Sequence, residues 1–201
     1  IIMQKKIKTA LISVSDKTNL KPLLNILKKN KIKIISSGGT YKEIKRLKFK
    51  CLEVSEFTNS PEILEGRVKT LHPKIHAGIL NKREKKSHLK DLKDNNFENI
   101  DLVVVNFYPF VNEAVKKKLT LDKAIEFIDI GGPSMIRAAA KNFHSIVPLT
   151  DPSQYDNFKL LFKKNSGVIP LENRKEYACR VFSMTAKYET EIFKYFAKTE
   201  N

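Results

Sequence analysis

Residues 9–54 of this 201-residue chain alternate between short β-branched runs and amphipathic stretches, and that alternation constrains the fold more than any other feature. Thr9-Ala-Leu-Ile-Ser-Val14 reads as a strand ending in hydroxyl residues. Residues 18–30 follow, with Leu20, Leu23, Leu24 and Leu27 on one face of a helix. Residues 31–35 form a second strand, halted by Ser36-Ser-Gly-Gly-Thr40. Residues 41–47 are helical again, and residues 51–54 supply a third strand. The β-α-β-α-β order predicts an α/β fold with a parallel sheet and right-handed crossovers.

The middle of the chain is less regular. Residues 57–80 carry Pro61, Gly66, Pro73 and Gly78 and read as loops and short helical turns, followed by a polar helix over 82–95. Ile100-Asp-Leu-Val-Val-Val-Asn106 is the most hydrophobic run and belongs at the centre of the sheet. Two short helices are expected over 111–127, a further helix over 134–141 after Gly131-Gly-Pro133, and a last strand over 145–150. Residues 171–197 fit one long amphipathic helix, with Ala178, Val181, Phe182, Thr185, Ile192 and Phe196 on its apolar side. No internal repeat or low-complexity linker interrupts the chain, so residues 1–201 are expected to form a single domain.

Hydrophobic residues make up 41% of the chain, enough for a sizeable core and too many for a disordered tail. No apolar run approaches the roughly 18–20 residues of a membrane span, and Ile1 to Lys6 is too short for a signal peptide. Cys51 and Cys179 have neither metal nor redox spacing and suit a reducing compartment. These features point to a cytoplasmic protein without a membrane partner. The net charge of +16 invites a nucleic-acid reading, yet only six of the 38 basic residues are arginine. The lysines are scattered without a sustained tract, whereas phosphate-reading surfaces lean on arginine. General basicity is the better reading, and a small anionic substrate would gain from the same field.

Two hydroxyl-rich turns end the first two strands: Ser13-Val-Ser-Asp-Lys17 and Ser36-Ser-Gly-Gly-Thr40. Ligands of open parallel sheets bind beyond the carboxyl ends of the strands, and free N–H groups at helix starts favour anions. Ser13, Ser15, Ser37 and Thr40 offer donors, Gly38 and Gly39 permit close backbone approach, and Lys17 adds a charge. A phosphate monoester suits the pair, with ordinary helix capping as the competing reading. Neither turn matches a triphosphate-binding or dinucleotide-binding fingerprint. Gly66-Arg-Val-Lys-Thr-Leu-His-Pro-Lys74 places Arg67 and Lys69 two apart, hence on one side of an extended segment, unless it is simply a solvated basic loop. Tyr108, in Asn106-Phe-Tyr-Pro-Phe110, stands at the rim of the central strand as a candidate proton donor beside core aromatics. Ile128-Asp-Ile-Gly-Gly-Pro-Ser134 offers Asp129 as a base and free N–H groups near Gly131 and Gly132 for an oxyanion; a plain helix-entry turn is the alternative. Arg137 and Lys141 share a helical face. His72 and His76 have a zinc-like spacing, but Pro73 intervenes and no third ligand is evident, so no metal is expected.

Taken together and in this order, these segments resemble the inosine monophosphate cyclohydrolase domain of the bifunctional purine-biosynthesis proteins, which join it to AICAR transformylase. The resemblance runs from about Thr9 to Phe196, with RVKTLHP and IDIGGP as its most specific stretches and Arg137-Ala-Ala-Ala-Lys-Asn142 completing the set. Phe107 stands where the family usually has leucine. The resemblance implies a methylglyoxal-synthase-like fold: a central, mainly parallel sheet flanked by helices, with a long C-terminal helix. It implies dehydrative ring closure of 5-formamidoimidazole-4-carboxamide ribotide to IMP, with no cofactor, no nucleic acid, a homodimer, and the transformylase half absent from this chain. Carried over by motif, Ser13, Ser15, Lys17, Ser37, Gly38, Gly39 and Thr40 hold the phosphate end. Arg67, Lys69, Thr70, Asn106, Tyr108, Asp129, Ile130, Gly131 and Gly132 surround the base. Lys69, Tyr108, Asp129 and Lys141 are the implied catalytic set.

Lys141 carries a geometric condition. A straight helix from Pro133 to Lys141 is about 12 Å long at ~1.5 Å per residue, so Lys141 meets Asp129 only if the Asp129 loop folds back along it. The competing function, from another class, is a non-catalytic nucleotide-sensing module of the same fold. Tyr108, Asp129 and the Gly-Gly-Pro turn count against it, because a phosphate sensor needs no such groups.

Overall fold

The computed structural model describes residues 6–198. Five parallel strands, β1 (Thr9–Val14), β2 (Lys33–Ser36), β3 (Leu52–Glu53), β4 (Leu102–Asn106) and β5 (Val147–Leu149), form one sheet in the order β3-β2-β1-β4-β5. Both faces of the sheet are covered, so the strands are apolar at nearly every position rather than alternating with polar residues. Ala10, Ile12 and Val14 of β1 and Leu102 and Val104 of β4 point to one face. There they meet α1 (Leu20–Lys29), α2 (Gly38–Arg46) and α8 (Tyr155–Lys164) through Leu23, Leu24, Leu27, Ile44 and Phe158. Leu11, Val103 and Val105 point to the other face and pack against Ile75, Ile79, Ile136 and Val181. Those come from α4 (Pro73–Leu80), α7 (Gly131–Lys141) and α9 (Leu171–Phe196), beside the short α3 (Val54–Thr58).

The polar helix α5 (Lys86–Asp94) runs between α4 and β4. A third cluster lies at the carboxyl end of the sheet, where the long β4–α7 connection, including α6 (Leu121–Ala124), folds over the far half of α9. Phe110, Ala114, Ala124 and Tyr188 are its buried members. Among the described residues, no helix is long and apolar enough to cross a membrane.

Several expectations need adjusting. Residues 73–80 form a regular helix rather than a loop. Pro73 sits at its first position, preceded by the His72 ring nitrogen, which accepts the Lys74 N–H at 3.1 Å. Gly78 is there because a side chain would begin 2.8 Å from the Glu98 carbonyl oxygen. Helix α2 begins at Gly38, so the Ser-Gly-Gly-Thr segment is its first turn rather than a loop before it. Phe182 and Phe196, assigned to the apolar stripe of α9, are each 43% exposed.

Candidate active site

The strand order places the topological switch between β1, whose chain moves toward β2, and β4, whose chain moves toward β5. Ligand crevices of open parallel sheets form at such a point, outside the carboxyl ends. Asn106, the last residue of β4, ties the two strand exits together there. Its side-chain oxygen accepts the backbone N–H of Ser15 at 2.8 Å and of Asp16 at 2.9 Å, and the Ser15 hydroxyl at 3.1 Å. Its amide nitrogen donates to the Asp16 carbonyl at 3.1 Å. The buried Asn106 amide thus shapes the Ser13–Lys17 turn, with its own hydrogen-bonding groups engaged.

Thr40 acts likewise from α2. Its hydroxyl accepts the Val14 N–H and donates to the Val14 carbonyl, both at 2.9 Å, locking the first turn of α2 onto the end of β1. Ser37 precedes the helix in an extended conformation and its side chain makes no capping bond. Gly38 adopts φ +55°, a left-handed conformation that glycine tolerates and other residues rarely do. The first-turn N–H groups of α2 thus have no side-chain cap, and in the neighbouring β1 turn the Lys17 ammonium donates to the Ser15 carbonyl at 3.2 Å. Helix N-termini of this kind attract anions.

The loop from Gly66 to His72 links this turn to the next helix start. A side chain on Gly38 would begin 3.2 Å from the Lys69 ammonium, so Lys69 stands directly over the α2 terminus. A side chain on Gly131 would overlap the hydroxyl of the buried Thr70, so the neighbouring residue abuts the start of α7. Two carboxylates hold the cations of this loop: Glu62 lies 3.5 Å from Lys69, and Glu126 forks onto Arg67. The Arg67 pair is largely exposed and the Lys69 pair only partly so.

Asp129 precedes α7 and turns its carboxylate onto the helix terminus, accepting the Gly132 N–H at 3.0 Å. Burial raises its pKa above the ordinary carboxylate range, against the lowering effect of the Gly132 and Gly131 N–H groups. These N–H groups are the ones expected to receive an oxyanion. In this state the Asp129 carboxylate occupies them instead, because it is the nearest anion to an otherwise unsatisfied helix start.

Lys141 is the last residue of α7, ten residues beyond Gly131, about 15 Å along the axis at ~1.5 Å per residue. Asp129 caps the opposite terminus. Asp129 and Lys141 nevertheless line one open cleft of about 700 Å³ along α7, together with Arg137, His76, Ile130 and Phe182. Tyr108 stands 57% exposed on the rim beyond β4, and Ile130 is 55% exposed.

Tyr188 of α9 went unnoticed in the sequence. Its hydroxyl accepts the Asp129 backbone N–H at 2.9 Å. The signal was available: Val181, Thr185, Tyr188 and Ile192 continue a 4-3-4 helical stripe, with one phenol hydroxyl among apolar groups.

The MGS-like domain model matches residues 19–134, and the AICARFT/IMPCHase bienzyme model matches residues 139–201. The bifunctional purine biosynthesis protein PurH of Leptospira biflexa is 49% identical over 193 residues, 96% of this chain and 38% of that protein. PurH of Prochlorococcus marinus is 52% identical over 189 residues, covering 94% of this chain and 36% of that protein. The chain thus spans less than two-fifths of the length of these curated relatives. The crystal structure of ForH superposes with a TM-score of 0.82 at 31% identity, covering 94% of this chain and 99% of ForH. With a family model covering residues 19–134 and a parallel sheet of matching architecture, the chain belongs to the MGS-like domain family.

Proposed function

We propose that this chain is an IMP cyclohydrolase, closing the pyrimidine ring of 5-formamidoimidazole-4-carboxamide ribotide with loss of water. One observation carries the reading: a single loop sets Lys69 over the glycine turn of α2 and Thr70 against the start of α7. An uncapped helix terminus beside Lys69 and the α7 start carrying the half-buried Asp129 carboxylate are thereby linked through two adjacent residues. A ribotide has that layout, with a phosphate at one end and reacting amides at the other. Ser13, Ser15, Lys17 and residues 37–40 take the phosphate. Arg67, Thr70, Asn106 and residues 130–132 border the base, with the Asn106 side chain acting through the turn it braces.

The carboxamide nitrogen attacks the formyl carbon, and the new C–N bond replaces the C–O bond. The carboxamide nitrogen and the formamide nitrogen each give up one proton, and the formyl oxygen leaves as water. Both reacting groups belong to one molecule, so the protein selects the folded rotamer and moves protons. No redox step or group carrier enters that balance. Asp129, a base made stronger by burial, is suited to take the carboxamide proton. Lys69 and Tyr108 polarise and protonate the departing oxygen, and Lys141 supplies positive charge from the far wall of the shared cleft. In the hydrolase classification the reaction runs in its ring-closing direction. A cytoplasmic homodimer, with transformylation carried by another domain, completes the proposal.

The test adds synthetic formylated ribotide to purified protein and follows IMP by ultraviolet absorbance. IMP should accumulate, and Lys69→Ala should slow turnover by about 10²-fold, as for loss of one preorganised electrostatic donor. Tight ribotide binding without IMP would favour the sensing module, and equal rates in both proteins would remove Lys69 from the mechanism.

A further inference from the structure

We propose that Tyr188 is a positioning residue that fixes Asp129 relative to Tyr108. Two contacts carry this. The Tyr188 hydroxyl accepts the backbone N–H of Asp129 at 2.9 Å and lies 3.5 Å from the Phe127 carbonyl oxygen, so one oxygen spans the backbone on both sides of Ile128. The ring of Tyr188 meets Phe107 edge-on, with centroids 4.5 Å apart. Phe107 directly precedes Tyr108 in the strand exit. A single side chain of α9 therefore touches both the segment carrying the candidate base and the segment carrying the candidate acid. The other half of the clamp is the Asp129 carboxylate on the Gly132 N–H.

Tyr188 is 3% exposed and sits in the apolar cluster with Phe110 and Ala124, so its rotamer is set by packing. Its hydroxyl stays protonated, since burial, with the charges of Asp129, Glu189 and Glu191, raises its pKa against the lowering effect of the Asp129 N–H. A neutral hydroxyl has both an acceptor for the Asp129 amide and a donor for the Phe127 carbonyl. Phenylalanine would keep the packing and lose both.

The inference rests on the ring-closure reading, and the experiment separates the two. Tyr188→Phe is compared with Tyr195→Phe, which removes a hydroxyl of the same helix that bonds the Leu119 carbonyl at 2.9 Å. Wild-type turnover is measured first, and its absence sinks the ring-closure reading. In Tyr188→Phe, kcat should fall by about 10- to 100-fold with KM within about twofold, because misplacing a base acts on the chemical step. Tyr195→Phe should keep kcat within about twofold. Independently of any substrate, exchange of the Asp129 amide hydrogen should accelerate at least about tenfold in Tyr188→Phe alone. A Tyr188→Phe protein with wild-type kcat, or with unchanged exchange at Asp129, overturns the proposal.

Discussion

Gly132→Ala should convert a tight approach into a measurable coupling. A β-carbon at this position would lie 2.5 Å from one carboxylate oxygen of Asp129 and 3.2 Å from its carboxyl carbon. Ordinary carbon–oxygen contacts begin beyond 3 Å, so the carboxylate must retreat by about 0.7 Å or more, stretching its bond from the Gly132 N–H. Overpacking of this kind costs about 1–3 kcal/mol, and replacing a helical glycine by alanine returns about 0.5–1 kcal/mol. The net loss is about 0–2.5 kcal/mol, which at ~2–4 °C per kcal/mol lowers Tm by up to about 10 °C. Turnover should fall by about 10²-fold, since a displaced base loses its aim. In an Asp129→Ala background the obstruction is gone, so the overpacking cost should vanish there, while whatever the β-carbon meets at Pro133 is common to both backgrounds. Thermal unfolding of the four proteins completes the cycle. If Gly132→Ala costs the same in both backgrounds, the Asp129 carboxylate is not where the close approach puts it.

Three further perturbations test neighbouring parts of the site. Because the folded state holds the Asp129 proton more tightly than the unfolded chain, stability from this group is full below the ordinary carboxylate pKa and is lost as pH rises through the raised folded value. Asp129→Asn should therefore match or exceed wild-type Tm at neutral pH while turnover collapses, and the acid limb of the wild-type kcat profile should lie above the ordinary carboxylate pKa. Glu62→Gln releases Lys69 from a partly exposed pair 3.5 Å apart, so KM for an anionic ribotide should drop about 1.5- to 5-fold, as steady-state kinetics at low salt will report. Asn106→Ala leaves the Asp16 N–H without its acceptor and the Ser15 N–H with only the residue-106 carbonyl at 3.4 Å, and should cost about 1–3 kcal/mol, read as a Tm fall of about 2–12 °C.

The strands and the two strongest helices are legible because local chemistry and tertiary demand agree in them. The leucines at 20, 23, 24 and 27 are all buried on α1, and the run over 100–106 became β4, a fully buried interior strand, although the centre of the sheet is its neighbour β1. The helix over 73–80 is not legible by propensity, since Pro73 and Gly78 speak against it. Pro73 is a start signal only once His72 is known to cap, and Gly78 answers to the Glu98 carbonyl, contacts that a local window does not contain. Within the site, the motifs named the right segments but not the engagement of each group. Asn106 reaches across 91 residues to Ser15 and Tyr188 across 59 to Asp129, separations at which side-chain partners follow from topology alone.

Under the proposed ring closure, the occupied terminus of α7 bears on where charge stabilisation comes from. While Asp129 is ionised, its carboxylate accepts the Gly132 N–H, and the positive end of the helix dipole is turned on the protein's own anion. On the proposed reading an oxyanion on the formyl oxygen finds that donor taken, which leaves Lys69, the cation set over the α2 terminus, as the candidate to receive it. The same contact regulates the base. Burial raises the Asp129 pKa and the Gly132 and Gly131 N–H groups hold it back, leaving a carboxylate more basic than an ordinary one. Once Asp129 takes the carboxamide proton, its hold on the Gly132 N–H weakens, because a neutral acid is a poorer acceptor than a carboxylate. The helix terminus then opens to the developing oxyanion only after the proton has moved. The proposed chemistry therefore asks for a well-placed Asp129, and Tyr188, set by packing on α9, is the side chain that binds its backbone N–H.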